Sequence, residues 1–241
     1  MYYLDDKEKK RLVEAIRAIY AIPFVDDIED YIWEAIFTYA KDIPSVDPLL
    51  NTRSKNLFDV VDEKSKIGWS IKAAQVSQGA IVLPCKFEVV IQRADIFTKA
   101  AELGFGKLST ESSPADLGTA LLKHWYEKKV QQDTEEQGVE ERRVAILLKS
   151  ENRKNYVYFE EKLVEYRGSE LTWAWTDKEK RGLQAKRIKD NVLIFRWYPN
   201  QKQFFERFIV PEDAYEFCIE PQRLAAGDVV EILLAKLEDR L

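Results

Sequence analysis

Histidine and cysteine are scarce in this sequence of 241 residues, which contains only His124, Cys85 and Cys218 of these two types. Zinc sites built from several cysteine and histidine ligands, disulfide frameworks and relays of two histidines are therefore excluded. His124 stands beside Trp125 and Tyr126 in a helical segment, which favours a structural role. Neither cysteine has a histidine nearby in the sequence, so both are expected to be small buried residues rather than nucleophiles.

Glycine-rich phosphate loops and long apolar runs are also missing. The nine glycines form neither a GxxxxGK(S/T) motif nor a GxGxxG motif, which disfavours nucleotide-driven chemistry. No stretch approaches the roughly 18 apolar residues of a membrane span. The N-terminal sequence MYYLDDKEKKRL lacks the layout of a secretion signal. A soluble, cytoplasmic protein is therefore expected.

Positive charge is not in excess. The 37 lysines and arginines are outnumbered by 42 aspartates and glutamates, and the formal net charge is -5 at pH 7. The chain as a whole is thus not a basic nucleic-acid-binding surface, and any site for a polyanion has to be local. Hydrophobic residues make up 46% of the chain, which suffices for one large core or two smaller ones.

The spacing of apolar residues predicts both helices and strands. Helices are predicted over 6–20, 27–41, 114–132, 200–208 and 227–240. Strands are predicted over 57–62, 68–73, 86–92, 144–148, 156–159, 171–176, 183–188 and 192–198. This order predicts an α/β protein, with an α/β core in residues 1–150. Residues 151–241 are predicted to form a β-rich extension that packs on this core and contacts DNA.

The first two strands form a predicted hairpin with the sequence FDVVDEKSKIGWSIKAAQ, residues 58–75. If the large apolar side chains of both strands pack on one face, Asp59, Ser70 and Lys72 are brought together on the other. A slip of the register by one residue would break this arrangement. Asp62 has the opposite parity to Asp59 and is the reserve carboxylate near the strand end. An aspartate and a lysine that meet in this way can hold a divalent cation and orient a water molecule.

The hairpin resembles that of the PD-(D/E)xK nuclease superfamily, and of the type II restriction endonucleases within it. The matching residues are Asp59 and, after the turn, Ser70-Ile71-Lys72. The resemblance implies a restriction-endonuclease-like αβββαβ core, Mg²⁺ as the cofactor and hydrolysis of DNA. The preceding helix of that fold often supplies a glutamate, which corresponds to Glu34 in IWEAIF. In this resemblance Asp59 and Glu34 hold the ion, and Lys72 positions the attacking water.

Ser70 departs from the family pattern, which has an acid at this place. A hydroxyl is a poorer ligand for a hard cation than a carboxylate, so Glu34, Glu88 on the third strand or Asp62 would have to substitute. Asp30, one helical turn before Glu34, is a further carboxylate on that helix. If none substitutes, a non-cleaving member of the family is expected. The candidate catalytic residues are Asp59, Lys72, Glu34 and Ser70. The candidate metal ligands are Asp59, Glu34 and Glu88.

Basic and aromatic residues interleave in the C-terminal half. Lysine and arginine contact phosphates, and arginine, asparagine and glutamine read base edges, so this half has the residue types that duplex DNA requires. Positive charge gathers around 149–154 and over 178–189, the latter in or beside a predicted hairpin. An ordinary sheet with charged outer positions is the alternative interpretation. The candidate DNA-binding residues are Arg153, Lys154, Lys180, Arg181, Lys186 and Arg187.

With the resemblance, these features predict a magnesium-dependent type II restriction endonuclease that acts on double-stranded DNA. The family also implies a homodimer and a cognate methyltransferase acting on the same DNA site. Three alternatives stay open. The chain could be a catalytically inactive DNA-binding or assembly protein with a nuclease fold, or a repair or recombination nuclease with little sequence preference. The spacing of the hairpin alone is also typical of a solvated sheet face without a function.

Overall fold

The computed structural model describes residues 2–44, 56–76, 81–220 and 222–238. The chain folds into two compact units. The first unit comprises Met1–Val82, Glu141–Lys162 and Asp213–Leu241, and the second comprises Leu83–Glu140 and Leu163–Glu212. Each unit contains one five-stranded sheet. The mixed α/β fold that the sequence predicts is confirmed.

Helices and strands follow one another in both halves of the chain. The helices are α1 Asp6–Ala21, α2 Asp30–Ala40, α3 Pro114–Trp125, α4 Gln132–Glu136 and α5 Ala226–Glu238. The strands are β1 Val60–Asp62, β2 Ile67–Val76, β3 Cys85–Arg93, β4 Glu141–Ser150, β5 Asn155–Lys162, β6 Leu171–Trp175, β7 Leu183–Arg187, β8 Leu193–Tyr198, β9 Gln203–Val210 and β10 Tyr215–Cys218. A π-helical turn, Tyr126–Gln131, joins α3 to α4, and a 3₁₀ turn, Gly168–Glu170, precedes β6.

The sheet of the first unit has the strand order β1-β2-β4-β5-β10. The strands β1 and β2 form an antiparallel hairpin in which Val60 lies opposite Trp69. The strands β2 and β4 are parallel, with Ser70 opposite Val144. Parallel neighbours require a long crossover connection, and here the chain between them supplies the first segment of the second unit. The remaining neighbours, β4 with β5 and β5 with β10, are antiparallel.

The helices α1 and α2 bury their apolar stripes against one face of this sheet. A capping box between Asp5 and Glu8 begins α1. Apolar residues of both helices and of the strands form one core, in which Trp33 makes an edge contact with Tyr158 and Phe37 makes one with Trp69. The face that carries Trp69 is therefore the core face of the hairpin.

Glu160 of β5 is the centre of a buried ionic network in this core, and its side chain is fully buried. The indole Nε1 of Trp69 donates to Glu160 at 2.9 Å, and the hydroxyl of Tyr158 donates at 2.5 Å. Arg143 Nη1 and Lys41 Nζ lie 2.8 and 3.0 Å from the carboxylate. Burial by itself would raise the pKa of Glu160, but these cations and hydrogen bonds hold that pKa below its ordinary value.

The sheet of the second unit has the order β3-β9-β8-β7-β6, and all its neighbouring strands are antiparallel. Aromatic side chains cover its inner face, where Phe195 stacks on Phe204 and on Trp173. The helix α3 packs on this face at Gly118. A Cβ at that position would lie 2.3 Å from the ring of Trp173, so the close approach requires glycine.

Two predicted elements take a different place in the fold. The strand predicted over 86–92 is present as β3. It pairs with β9 and is not a strand of the first sheet. The stacking of Phe87 on Phe208, with ring centroids 5.8 Å apart, favours this pairing. Most of the segment predicted as a helix over 200–208 forms the hairpin turn before β9 and the start of β9 itself. Its side chains alternate between buried and half-buried, which is the period of a strand.

The two units also do not divide the chain at residue 150. The strands β5 and β10 complete the first sheet, so the second half of the chain returns to the first unit. Conversely, β3 and α3, which were expected in the core of residues 1–150, belong to the second unit. Long-range strand pairing causes this interleaving, and apolar periodicity carries no information about it.

The last described helix, α5, leaves a wide apolar stripe exposed. Val229 is buried, whereas Val230, Leu233, Leu234 and Leu237 are 50–59% exposed. Their spacing of three and four residues places these four side chains on one side of the helix. Residues 239 and 240 of the predicted helix lie outside the described residues. No helix within the described ranges is long and apolar enough to cross a membrane.

Candidate functional site

Asp59 lies at the edge of the first sheet, directly before β1. Its N–H donates to the carbonyl of Trp69 at 2.9 Å, and its carboxylate Oδ2 accepts the N–H of Ile71 at 2.8 Å. The carboxylate of Asp59 thus accepts a backbone N–H of β2, just beyond Val60 and Trp69, the last residue pair of the β1–β2 hairpin. This bond fixes the direction of the carboxylate, because Ile71 belongs to the rigid strand β2.

Lys72 meets Asp59 from the neighbouring strand. Its ammonium Nζ lies 3.3 Å from Asp59 Oδ2 and donates to the carbonyl of Ile71 at 3.0 Å. Both side chains are about a quarter exposed. The expected meeting of Asp59 and Lys72 is therefore confirmed, and it follows from the register that puts Asp59 one residue before the Val60 and Trp69 pair. Their catalytic role stays a prediction.

Ser70 has the same parity as Lys72, but its side chain is buried, with the residue only 4% exposed. The face of the sheet opposite to Trp69 is therefore covered at this point as well, and Val144, the neighbour of Ser70 on β4, is buried too. The hydroxyl of Ser70 is thus shielded from solvent. Its catalytic role stays a prediction.

The electrostatic environment of Asp59 is unfavourable to its ionised form. Burial raises the pKa of Asp59 above its ordinary value, and the negative charge of Asp30 raises it further, while Lys72 and the N–H of Ile71 oppose this shift. Asp30 is the first residue of α2 and is exposed. Two carboxylates thus lie within electrostatic range at one edge of the sheet.

These two carboxylates retain oxygens for a cation. Both contacts of Asp59 use Oδ2, and within the described chain neither Asp59 Oδ1 nor Asp30 takes part in a hydrogen bond or an ion pair. Among the described residues no cluster of three histidines, cysteines or acids is present. Mg²⁺ is commonly held by one or two carboxylates together with water and substrate phosphates. Asp59 and Asp30 would be the carboxylates of such a site.

Glu34 is half-buried on α2, one turn after Asp30. Residues four apart share a face of a helix, so Glu34 follows Asp30 on the same side of α2. Asp62, the reserve carboxylate, instead caps the hairpin turn. It accepts bonds from the Ser65 hydroxyl and the Lys64 N–H, and these bonds hold the pKa of Asp62 below its ordinary value.

Glu88 was expected on the same sheet as Asp59 and is found on the sheet of the second unit. Its carboxylate lies 3.1 Å from Arg196 Nη1 and 3.6 Å from Arg207 Nη1. Because β3 pairs with β9, Glu88 stands opposite Arg207 and is compensated by two guanidinium groups. We therefore leave Glu88 out of the candidate metal ligands.

Most candidate DNA-binding residues have carboxylate partners within the chain. Lys154 pairs with Glu220 at 3.0 Å, Lys180 with Glu111 at 2.8 Å, and Arg181 with Asp177 at 3.1 Å. Arg187 donates two hydrogen bonds to the carboxylate of Asp190, one from Nε and one from Nη2. Arg153 has a left-handed backbone conformation, with a φ of 59°, in the turn between β4 and β5. Lys186, on β7, forms no ion pair within the described chain.

The single histidine has a structural environment, as expected. His124 is buried, with Lys99 Nζ 3.1 Å from Nε2 and Gln92 Oε1 3.0 Å from Nδ1. Burial lowers the pKa of His124 and the Lys99 charge lowers it further, so the ring is neutral and accepts from Lys99. The cysteines differ from expectation, because Cys85 is half-buried and Cys218 is exposed on β10.

Comparison with protein-family models, curated proteins and solved structures found no match to this chain. Asp30 was only a secondary candidate on sequence grounds. A helical carboxylate one turn before Glu34 was visible, but its proximity to Asp59 depends on how α2 packs on the sheet.

Proposed function

We propose that this protein is a magnesium-dependent DNA endonuclease of the PD-(D/E)xK type, acting as a type II restriction enzyme. The observation that supports this most is the contact between Asp59 and Lys72 on adjacent strands. The charge of Asp30 acts on Asp59 in the same direction as its burial. A carboxylate, a lysine and a nearby helical acid are the groups that phosphodiester hydrolysis with a hard cation requires. The resemblance to the nuclease hairpin covers Asp59 and Lys72, and it assigns the helical acid to Glu34.

Each residue has a distinct part in this proposal. Asp59 Oδ1 and Asp30, with Glu34 as the further helical carboxylate, would hold Mg²⁺, which would polarise the scissile phosphate and lower the pKa of a water. Lys72 is oriented by Asp59 Oδ2 and by the Ile71 carbonyl, so that its ammonium is held at the same edge. Its remaining proton is available to orient the attacking water or to stabilise negative charge on the phosphate.

Cleavage of unmethylated plasmid and genomic DNA tests this proposal, with Mg²⁺, with Mn²⁺ and without metal. We expect discrete fragments from the wild type, and a loss of at least about a hundredfold in cleavage for Asp59→Asn and Lys72→Met. Glu63→Gln and Lys64→Met neutralise an exposed acid and an exposed lysine in the hairpin turn and are the matched controls. Wild-type cutting by Asp59→Asn, in a preparation shown to be folded and free of other nucleases, would contradict the proposal.

The pH dependence of cleavage provides a second measurement. Asp59 has to be ionised to bind a cation, and its raised pKa shifts that ionisation above the ordinary range of an aspartate near 3.8. Cleavage is therefore expected to rise with pH on the acid side and to level off when Asp59 is ionised. Higher Mg²⁺ concentrations should move this rise to lower pH, because the cation favours the charged carboxylate.

A second candidate function is an inactive DNA-binding or assembly protein with a nuclease-like hairpin. The burial of Ser70, in the place of the family acid, favours it. DNA binding without cleavage, across both metals and all methylation states, would support this alternative. Smears or nicks without discrete fragments would instead indicate a repair or recombination nuclease.

We also propose a homodimer, as the family implies, with α5 as its interface. Val230, Leu233, Leu234 and Leu237 repeat at spacings of three and four residues, which matches the seam between two packed helices. A two-fold axis brings the same stripe of both copies together, so the apolar side chains cover one another. A methyltransferase that protects the same DNA site is the further partner expected for a restriction enzyme.

A further inference from the structure

The outer face of the second sheet carries a cluster of cations, which we call the basic face. Along β8 and β9 the buried aromatic residues point inward, as does Phe87 of β3, and the alternate residues of these strands and of β7, including Tyr198 and Phe205, point to the other side. There Arg196 lies opposite Phe205 on β9 and Gln184 on β7. The charged members of the basic face are Lys86, Arg93, Lys186, Arg196, Arg207 and Glu88.

Positive charge exceeds negative charge on this face. Glu88 is its only acid among the described strand residues, and it is shared by Arg196 and Arg207. The buried Nε groups of both arginines have no hydrogen-bond partner in the described structure. Lys86 and Lys186 form no ion pair within the described ranges. Five cations with one anion make this face locally basic in a chain whose net charge is -5.

The basic face ends in a polar cleft of about 530 Å³. Arg196 and Tyr198 belong to both the face and the cleft. The loops that follow β6 and β8 lie at the same end of the sheet, because both strands enter hairpins there. These loops add Thr176, Asp177, Arg181, Asn200 and Gln201 to the lining, where Asp177 pairs with Arg181 at 3.1 Å.

The chemistry of these groups matches nucleic acid. Guanidinium and ammonium groups contact phosphates, whereas arginine and carboxamide side chains bond base edges. The half-buried ring of Tyr198, in edge contact with Phe205, offers a surface for base stacking beside the cations. The positive charge of the face thus complements the phosphate of a nucleotide, and the polar lining of the cleft complements its base.

We propose that the basic face binds the phosphates of DNA and that the cleft receives a base. The choice of DNA rests on the proposed function, whereas the affinity for phosphate follows from the face itself. Among the earlier candidates Lys186 and Arg181 take part in this surface. Arg196, Arg207 and Lys86 are new assignments, and Glu88 becomes the residue that limits the positive charge.

Fluorescence anisotropy in EDTA tests the proposal without requiring cleavage. The probes are labelled duplex DNA, single-stranded DNA and RNA of one sequence. Removing both unpaired lysines, in Lys86→Ala/Lys186→Ala, should weaken DNA binding roughly tenfold and lower the salt dependence by about one ion for each lysine. Lys128→Ala is the matched control, because Lys128 is an exposed lysine of the same unit, in the helical segment beyond α3.

Two further variants separate charge from base contact. Glu88→Gln keeps the size of the side chain and removes the only acid of the face, so it should strengthen DNA binding severalfold. Gln201→Ala should leave the salt dependence unchanged and reduce the preference among DNA sequences. The opposite result for Glu88→Gln, in a folded variant, would overturn the assignment.

The outcomes distinguish this inference from the proposed function. If the wild type binds no nucleic acid, or if Lys86→Ala/Lys186→Ala binds DNA as well as Lys128→Ala does, the basic face is not the binding surface. A preference for RNA over both forms of DNA would overturn the choice of DNA. Binding that depends on the basic face without any cleavage would sustain this inference and reject the nuclease.

Discussion

Two adjacent glutamates of β5 have opposite electrostatic environments. The pKa of Glu160 is lowered because Lys41, Arg143 and two hydrogen bonds outweigh its burial. The side chain of Glu161 points to the other face of the sheet, where burial raises its pKa to about 7. Glu160 therefore stabilises the fold at a pH above the ordinary glutamate value, and this stability is lost as the pH falls through the lowered pKa. The stability linked to Glu161 is present below its ordinary pKa and is lost as the pH rises through about 7.

Glu160→Gln should reduce the free energy of unfolding by about 1–3 kcal/mol at neutral pH. The reason is that Lys41 and Arg143 would remain in the core without their shared counter-ion. The loss is limited because Lys41 keeps Glu8 at 3.3 Å and Arg143 keeps Glu141 at 2.8 Å. Urea denaturation followed by tryptophan fluorescence measures this change. A loss below about 1 kcal/mol would show that water reaches these cations.

Glu161→Gln is the matched control on the next residue of the same strand. At a pH of about 8 it should increase the free energy of unfolding, by an amount on the order of 1–3 kcal/mol, because the wild-type side chain is then charged and desolvated. At a pH near 4 the two proteins should be equally stable. Equal losses for both substitutions would contradict the assigned environments.

The residue scale also shows what the sequence could predict of the site. The meeting of Asp59 and Lys72 was predictable, because a short turn and the alternation of side chains determine which residues of a hairpin lie together. The burial of Ser70 was not, because both faces of β2 are covered. Likewise, the partners of Glu88 were not predictable. Arg196 is 108 residues away in the sequence, and Arg207 lies on another strand.

At the scale of elements, the contact between α3 and the second sheet depends on one glycine. Gly118→Ala should lower the free energy of unfolding by about 1–3 kcal/mol, because the added methyl group overlaps the ring of Trp173. Alanine has the higher helix propensity, so a loss of stability isolates the packing effect. Thermal or urea unfolding of the variant provides the measurement.

Gly106→Ala is the control for this prediction, because a Cβ at Gly106 meets no atom within 4 Å. It should unfold as the wild type does. If Gly118→Ala were as stable as Gly106→Ala, the tryptophan would have to move aside without cost, and the close packing of α3 on the sheet would be wrong.

The exposed stripe of α5 gives a prediction about association. Leu233→Lys and Leu237→Lys place a charge in the middle of the proposed dimer seam and should convert the dimer to a monomer. Ile232→Lys is the matched control, because Ile232 is 52% exposed on the same helix but points away from the stripe. Light scattering coupled to size-exclusion chromatography measures the mass. A monomeric wild type would refute this interface.

At the scale of the whole molecule, the chain interleaves its two units. Residues 1–150 contain β1, β2 and β4 of the first sheet but neither β5 nor β10, and they contain only β3 of the second sheet. A fragment of residues 1–150 should therefore fail to fold cooperatively, because β4 would lose its antiparallel partner and β3 would have no sheet. Amide proton dispersion by NMR tests this, with the full chain as the reference. A well-dispersed spectrum of the fragment would restore the boundary at residue 150.

The distribution of charge is also a property of the whole molecule. The net charge of -5 argued against a polyanion partner. In the structure, the charge is unevenly distributed. Many lysines and arginines pair with nearby carboxylates, whereas Lys86 and Lys186 lie on a face with one acid. Pairing of this kind depends on which strands become neighbours, so a count of charges along the sequence cannot reveal it.

The sequence by itself determined the local features of this protein. The scarcity of histidine and cysteine excluded whole classes of chemistry, the cap at Asp5 began α1, and the turn after Asp62 set the register that joins Asp59 to Lys72. The tertiary structure alone decided that β3 leaves the first sheet and that Asp30 acts on Asp59. The reason is physical. Helical periodicity, caps and hairpin turns involve residues a few positions apart, whereas strand neighbours and charge partners are chosen among segments a hundred residues apart, by burial that is shared between them.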